Sequence, residues 1–394
     1  MRGFSFLGRV QAKKDGVVMV LLFFSLSSLY LATASGITSS NGGSHYALLR
    51  TMLDNHTFAL ENFDDYAEGN DIALTEDGRL FSDRPPGNAL AAIPFYLLGE
   101  ILPQPLAQLP SRHDADNTAL WYVLLMPVLA GAGTVTLLYY FLRQQHILPA
   151  AALITCLILG VGTAHWKYSS VFFSHALSSF IILLVVVSAV SLSSPLSASL
   201  PRFFGLGLLL GFSVLVEYSN GLLVGIICLF IGGQLSRQRP FSARKLFPVI
   251  AAIGLGGVPS ILFLAFYNQV NFGDPFTLSY AYAVNYPWAG EFSSTFSVPL
   301  RAGLQALLIW GESGGWCGGP CMNQGLFLLS PVLLLAWPGY WLYGRRGSHP
   351  IFWLTTAVFL AYLLLFAKHH TAHGFTADGR YLVPFLSLLM LPIA

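Results

Sequence analysis

Ten apolar runs divide this chain, near 16–35, 118–142, 147–164, 168–193, 203–219, 220–233, 247–267, 322–343, 350–367 and 381–394. Most approach the roughly 20 residues that a helix needs to cross a bilayer. Composition closes off the alternative of a large soluble core: charged residues are only 10% of the chain and hydrophobic ones 55%, against roughly 25% charged in soluble domains. A soluble globule could not cover its surface with so little charge. Disorder and disulfide-stapled secreted modules fall with the same figures, since there are only 4 Cys. A net charge of +2 offers no footprint for nucleic acid. The expected fold is an all-α integral membrane protein, a polytopic bundle of about ten or more spans forming one domain over 1–394.

Glu217 and Asn220 sit where the fifth and sixth runs meet, which reads either as a tight turn between two spans or as one long bent element. The stretch 296–312 is apolar but interrupted, as in a re-entrant or interfacial helix. The last run reaches Ala394 with no polar cap, so the helix either stops abruptly or continues in a missing C-terminal part. The first run carries a basic leader and Ala32-Thr33-Ala34 resembles a cleavage site, yet its apolar stretch exceeds a usual signal-peptide core. It is read as a retained first span.

With the N-terminus in the cytoplasm, 12 of the 20 basic residues fall on that side, on mostly short loops. A multi-pass plasma-membrane protein in contact with the bilayer follows. In this topology Asp15 is the one acid of 18 on the cytoplasmic side. Two large outer loops result, 36–117 and 268–321, and the first holds 12 acids. Within it, 44–55 places Tyr46, Leu49 and Leu53 on one helical face, and 86–102 follows a proline start. Three further outer segments are positioned to converge on this loop: 162–168, 267–321 and 368–380. They bring imidazoles, carboxylates and cations to a water–lipid boundary, which suits chemistry on a lipid-linked, phosphate-bearing substrate.

Several short motifs now line up. Tyr46-Ala47-Leu48-Leu49-Arg50, Gly69-Asn70-Asp71-Ile72-Ala73 and Asp77-Gly78 with Asp83-Arg84-Pro85-Pro86-Gly87 are followed by Gly162-Thr163, Phe173-Ser174-His175, Glu217-Tyr218, Tyr267-Asn268, Phe272-Gly273-Asp274-Pro275, Gly325-Leu326-Phe327, Ser330-Pro331 and Gly379-Arg380-Tyr381-Leu382. Their order resembles bacterial membrane glycosyltransferases of the glycosyltransferase C superfamily, near family 39 and the dolichyl-phosphate-mannose protein mannosyltransferases. The resemblance implies a helical first outer loop, a polyprenyl-phosphate sugar as donor, and inverting transfer to a cell-envelope acceptor on the outer face. It also implies a general-base Asp just after the first span. Here that place reads Ser39-Ser40-Asn41-Gly42-Gly43-Ser44-His45, with no acid between Asp15 and Asp54.

Asp71 is therefore the first candidate base, Asp83 the second and His45 a substitute, because each can take a proton near neutrality. Both acids also read as solvated loop residues, and Asp83 as a cap for the helix that begins at Pro85 or Pro86. Arg84, Lys167 and Arg380 are expected to hold the donor phosphate, with Arg suited to bidentate contact; each could instead snorkel to lipid head groups. His165, His175, Glu217 and Asp378 are assigned to the substrate pocket, since ionisable groups at membrane depth are costly unless used or satisfied. His369, His370, His373 and Asp378 invite a metal. Some relatives in the superfamily use a divalent cation, but Gly374 argues for a loop and no complete ligand set is evident, so no metal residue is assigned. Cys317 and Cys321, on the oxidising side, form an expected disulfide. Cys156 and Cys228 read as packing residues, and Gly205, Gly207, Gly254, Gly256 and Gly257 as points where helices come close.

Two other functions fit the same composition. A chain with this fold and no acid in the usual place could be a structural or accessory subunit with membrane protein partners. A transporter of a lipid-linked substrate would show inverted repeats and paired broken helices, and neither is evident.

Overall fold

A computed structural model describes residues 2–103, 105, 108–111, 117–193, 199–237, 243–285, 291–314, 320–345, 350–371 and 378–394. The chain is mostly helical. Six helical stretches are long and apolar enough to cross a membrane: Lys13–Ala32, Ala119–Gln144, Ser174–Leu192, Tyr218–Ser236, Leu246–Phe272 and Pro350–Lys368. Four shorter apolar ones, Pro149–Gly162, Leu200–Val216, Pro331–Leu342 and Arg380–Leu389, occupy the remaining apolar runs.

The helices that matter below are α1 (Arg2–Ala32), α2 (Ser40–Asp54), α3 (Gly87–Ile101), α4 (Asn117–Val123), α5 (Leu125–Gln144), α6 (Pro149–Gly162), α7 (His165–Ser169), α8 (Ser174–Ser193), α9 (Leu200–Val216), α10 (Gly221–Ser236) and α11 (Ala243–Phe272). After the short helices α12 (Phe292–Thr295), α13 (Leu300–Leu308), α14 (Leu326–Leu329) and α15 (Ala336–Arg345) comes α16 (Pro350–Lys368). The interrupted stretch 296–312 thus holds the nine-residue α13 rather than a span. The fold departs from all-α in two small antiparallel hairpins. Strands β1 (Ile72–Leu74) and β2 (Leu80–Ser82) pair between α2 and α3, and β3 (Trp310–Gly314) pairs with β4 (Pro320–Gln324). These strands are three and five residues long, too short to have left an alternating signal in the sequence.

Side chains pin the bundle at both ends. Arg143 on α5 bonds Asp15 on α1 at 3.0 Å, and Tyr139 donates to the same carboxylate at 3.0 Å. At the other end the Tyr30 hydroxyl donates to the Gly160 carbonyl at 2.9 Å. Helices α9 and α11 run parallel in close contact: a Cβ on Gly207 would stand 2.0 Å from the Ile253 carbonyl oxygen, and one on Gly256 2.1 Å from that of Phe204. Only glycine lets the backbones meet there. Between α9 and α10 the chain breaks at Glu217, which is extended, and turns through the 3-10 segment Tyr218–Asn220. Glu217 and Asn220 therefore mark a tight turn.

Helix α2 is packed inside the protein. Residues 41–49 of α2 are all buried, including its polar side. Gly43 makes this possible, since a Cβ there would overlap the Tyr66 carbonyl oxygen. Main-chain bonds knit the outer loops together: Val284 N to Ile72 O at 3.0 Å, His370 N to Thr295 O at 2.8 Å and Gly379 N to Gln324 O at 3.0 Å. Cys317, the side chain of Cys321 and His373 lie outside the described residues. Cys156 is buried and Cys228 half-buried, both as free thiols.

Candidate active site

The β1–β2 hairpin decides where the acids of the first loop go. Ile72 pairs with Ser82, so Asp71 and Asp83 emerge side by side at its open end. Ser44 secures this end, its hydroxyl donating to the Asp71 carbonyl at 2.6 Å and lying 2.7 Å from the Ser82 hydroxyl. Asp71 has φ +53°, a left-handed conformation that Asp tolerates better than most residues. The turn sends its side chain behind the hairpin. There its carboxylate forms an ion pair with Arg84 and accepts a hydrogen bond from Ser40 at 2.5 Å.

Asp83 turns the other way, into a cavity of about 840 Å³. It is 1% exposed, and burial pushes its carboxyl up to about 7, against the pull of the Arg380 guanidinium. Arg84 Nε lies 3.0 Å from Asp83 Oδ1 without hydrogen-bond alignment. Asp83 does not cap α3, whose N-cap is Pro86 with no side-chain bond. Its own carbonyl accepts from Ser279 at 2.7 Å, so the second outer loop holds the acid in place.

Arg84, His175, Glu217 and Arg380 line the same cavity. Glu217 accepts a hydrogen bond from Ser174 at the start of α8. The His175 ring stacks on Tyr168 with centroids 4.8 Å apart, and its Nε2 has no hydrogen-bond partner. Arg380 lies over the Phe173 ring, 5.6 Å from its centroid.

The other expected residues stand behind these. Asp378 binds Lys167 at 2.5 Å and the Tyr168 hydroxyl at 2.6 Å, and neither Asp378 nor Lys167 lines the cavity. His45 is buried against Phe172, and burial with the Arg84 and Arg380 charges drives its imidazole down to about 3, leaving it neutral. His165 is closed in between helices, its Nε2 at 3.0 Å from the Gly131 carbonyl, and burial lowers it to about 4.

Sequence reasoning passed over much of the far wall. Asn41, Ser178, Tyr218, Asn220 and Tyr280 face the cavity; Asn41 was marked by its place in the stretch where an acid is expected, Tyr218 and Asn220 by the break after Glu217, and Ser178 and Tyr280 by nothing in the sequence. His369 and His370 line the cavity as well. The His369 Nδ1 is 3.0 Å from the Thr371 hydroxyl, which is 3.1 Å from the Tyr381 hydroxyl. Burial pushes His369 down to about 3, so this wall is polar but uncharged. Among the described residues no three His, Cys, Asp or Glu side chains converge on a point that could hold a metal. Phe276, Phe292, Phe296, Phe366 and Phe385 complete an apolar side.

No protein-family profile and no curated protein matches the sequence. Solved structures do match the fold. The crystal structure of ArnT from Cupriavidus metallidurans bound to undecaprenyl phosphate superposes with a TM-score of 0.57 at 14% identity, covering 96% of this chain and 59% of that one. The archaeal oligosaccharyltransferase AglB from Archaeoglobus fulgidus, in complex with an inhibitory peptide and a dolichol-phosphate, gives 0.54 at 10% identity, covering 97% and 50%. This chain thus spans about half to three-fifths of the length of these proteins. At such identities the likeness concerns the fold alone, which resembles that of these two proteins.

Proposed function

We propose that the protein is a membrane glycosyltransferase that moves a sugar from a polyprenyl phosphate to a hydroxyl-bearing acceptor of the cell envelope, at the extracytoplasmic face and with inversion. The observation that carries this reading is one cavity in which a buried carboxyl poised near neutrality, Asp83, faces two arginines, Arg84 and Arg380. In this reading Asp83 takes the proton of the acceptor hydroxyl as its oxygen attacks the anomeric carbon. The bond from that carbon to the phosphate oxygen breaks, and the polyprenyl phosphate leaves with one more negative charge. Arg84 and Arg380 stabilise that charge where it develops. Asp71 holds Arg84 in place, and Lys167 with Asp378 anchors the segment before Arg380. His175 and Glu217, with Ser178 and Asn220, form the polar surface for the sugar, and the phenylalanines take the first isoprene units. His45 and His165 serve packing in this scheme, because a fully buried neutral imidazole that does not reach the cavity cannot act as base.

One observation favours a second reading, a non-catalytic subunit of a membrane assembly. Of residues 39–45, where the resemblance expects an acid, only Asn41 reaches the cavity. Release of labelled sugar from a polyprenyl-phosphate sugar pool by the purified protein separates the two. Turnover that disappears in Arg84→Ala with the fold intact supports the transferase. No turnover with hexose, pentose or amino-sugar donors, in the presence of envelope extract as acceptor, turns the reading to the assembly role.

A further inference from the structure

A second cavity, of about 1040 Å³, opens at the opposite end of the bundle. The cytoplasmic ends expected for α5, α8, α9, α10 and α16 surround it. Its polar lining includes Arg202, Gln144, Gln145, Gln234, Ser188 and Ser191, and the rest is largely leucine, valine and phenylalanine. Among the described residues Arg202 is its one charged group, and none of those that line it is Asp or Glu. Arg202 is exposed and makes no ion pair among the described residues. Arg143, which precedes the lining residue Gln144, differs: it is held by Asp15 and by the Ile147 carbonyl. Helices α9 and α16 begin at this cavity while α5, α8 and α10 end there, so two of the three negative helix ends are offset and Arg202 supplies the full positive charge among the described lining residues.

We infer that this cavity binds the phosphate of an acidic phospholipid from the cytoplasmic leaflet. A guanidinium offers paired donors to phosphate oxygens, the glutamine amides and serine hydroxyls add neutral donors, and the apolar walls accept the acyl chains. Basic pockets between membrane helices on the cytoplasmic side bind anionic head groups for the same reason. The exposed Arg237 and Arg244 stand at the same end and add to its positive field. The site shares no lining residue with the cavity around Asp83 and does not depend on the transferase reading.

The test is a thermal melt of the delipidated full chain in detergent, titrated with dioleoylphosphatidylglycerol, dioleoylphosphatidylcholine or sodium phosphate. Phosphatidylglycerol is expected to raise the melting temperature saturably, and the other two not to. Arg202→Ala is expected to raise the half-saturating lipid concentration by about tenfold, the loss of one charged hydrogen bond, while Arg237→Gln changes it less. A response unchanged in Arg202→Ala, or matched by phosphatidylcholine, overturns the inference. An Arg202-dependent response to sodium phosphate alone overturns the lipid as occupant. Should Arg202→Ala fail to fold, Gln234→Leu carries the same test through lipid retained in native mass spectrometry, where undiminished phosphatidylglycerol retention overturns it.

Discussion

Asp71 and Asp83 leave the same hairpin end, one residue beyond paired positions, yet they occupy different chemical worlds. Asp71 faces backwards to Arg84 and Ser40, where its charge is matched. Asp83 faces the cavity, where burial outweighs the nearby positive charge and lifts its carboxyl to about 7. In the proposed reaction the fully paired carboxylate is a strut, and the one whose burial outweighs its positive neighbours is the proton acceptor. The difference comes from a single left-handed residue, Asp71 at φ +53°, which turns one side chain away from the face its neighbour uses.

Asp83→Asn is expected to have the largest effect, a loss of transfer rate of about 10²–10⁴-fold, the usual contribution of a general base. Half-saturation by donor should change little, which steady-state kinetics against donor concentration reads directly. Asp71→Asn keeps a residue that tolerates the left-handed conformation and removes only the charge. It should raise the donor half-saturation by about 10–100-fold with a smaller fall in maximal rate, because Arg84 loses its anchor. If Asp71→Asn reproduces the Asp83→Asn pattern, the two acids do not divide the work as described.

The pH profile separates them next. Wild-type transfer should rise about tenfold per pH unit up to about 7 and then level off, as Asp83 loses its proton. An inflection near 4 would mean that some other, unshifted carboxylate is the base. Stability moves in the opposite sense. A carboxyl raised from 3.8 to about 7 costs folding free energy at pH 8 and progressively less as the pH falls towards 3.8. The melting temperature of Asp83→Asn relative to wild type should therefore be higher at pH 8 than at pH 5. The smallest expected change is that of Ser40→Ala. It removes one hydrogen bond to Asp71 and should raise donor half-saturation by about three- to tenfold, measurable in the same donor titration.

Much of the architecture was legible in the chain because bilayer crossing imposes length and apolarity on local segments. The ten apolar runs coincide with six long and four shorter apolar helices, and the break at Glu217 falls where a carboxylate and an amide interrupt the apolar pattern. The proline start of α3 and the close α9–α11 contact at Gly207 and Gly256 were readable for the same reason, as local geometry. The hairpins were not, since three paired residues carry no period. The far cavity wall was not either, because His369, His370 and Tyr280 are brought to Asp83 only by packing between segments some 200 to 290 positions apart.

Sequence alone thus determined that this is a multi-helix membrane protein with its acids concentrated in one loop, because hydropathy and charge act residue by residue. Tertiary structure alone decided which acid meets the arginines in a shared space and which is spent on holding one of them. Whether a carboxylate is paired or stranded depends on what faces it across the fold, and that is a property of no single segment.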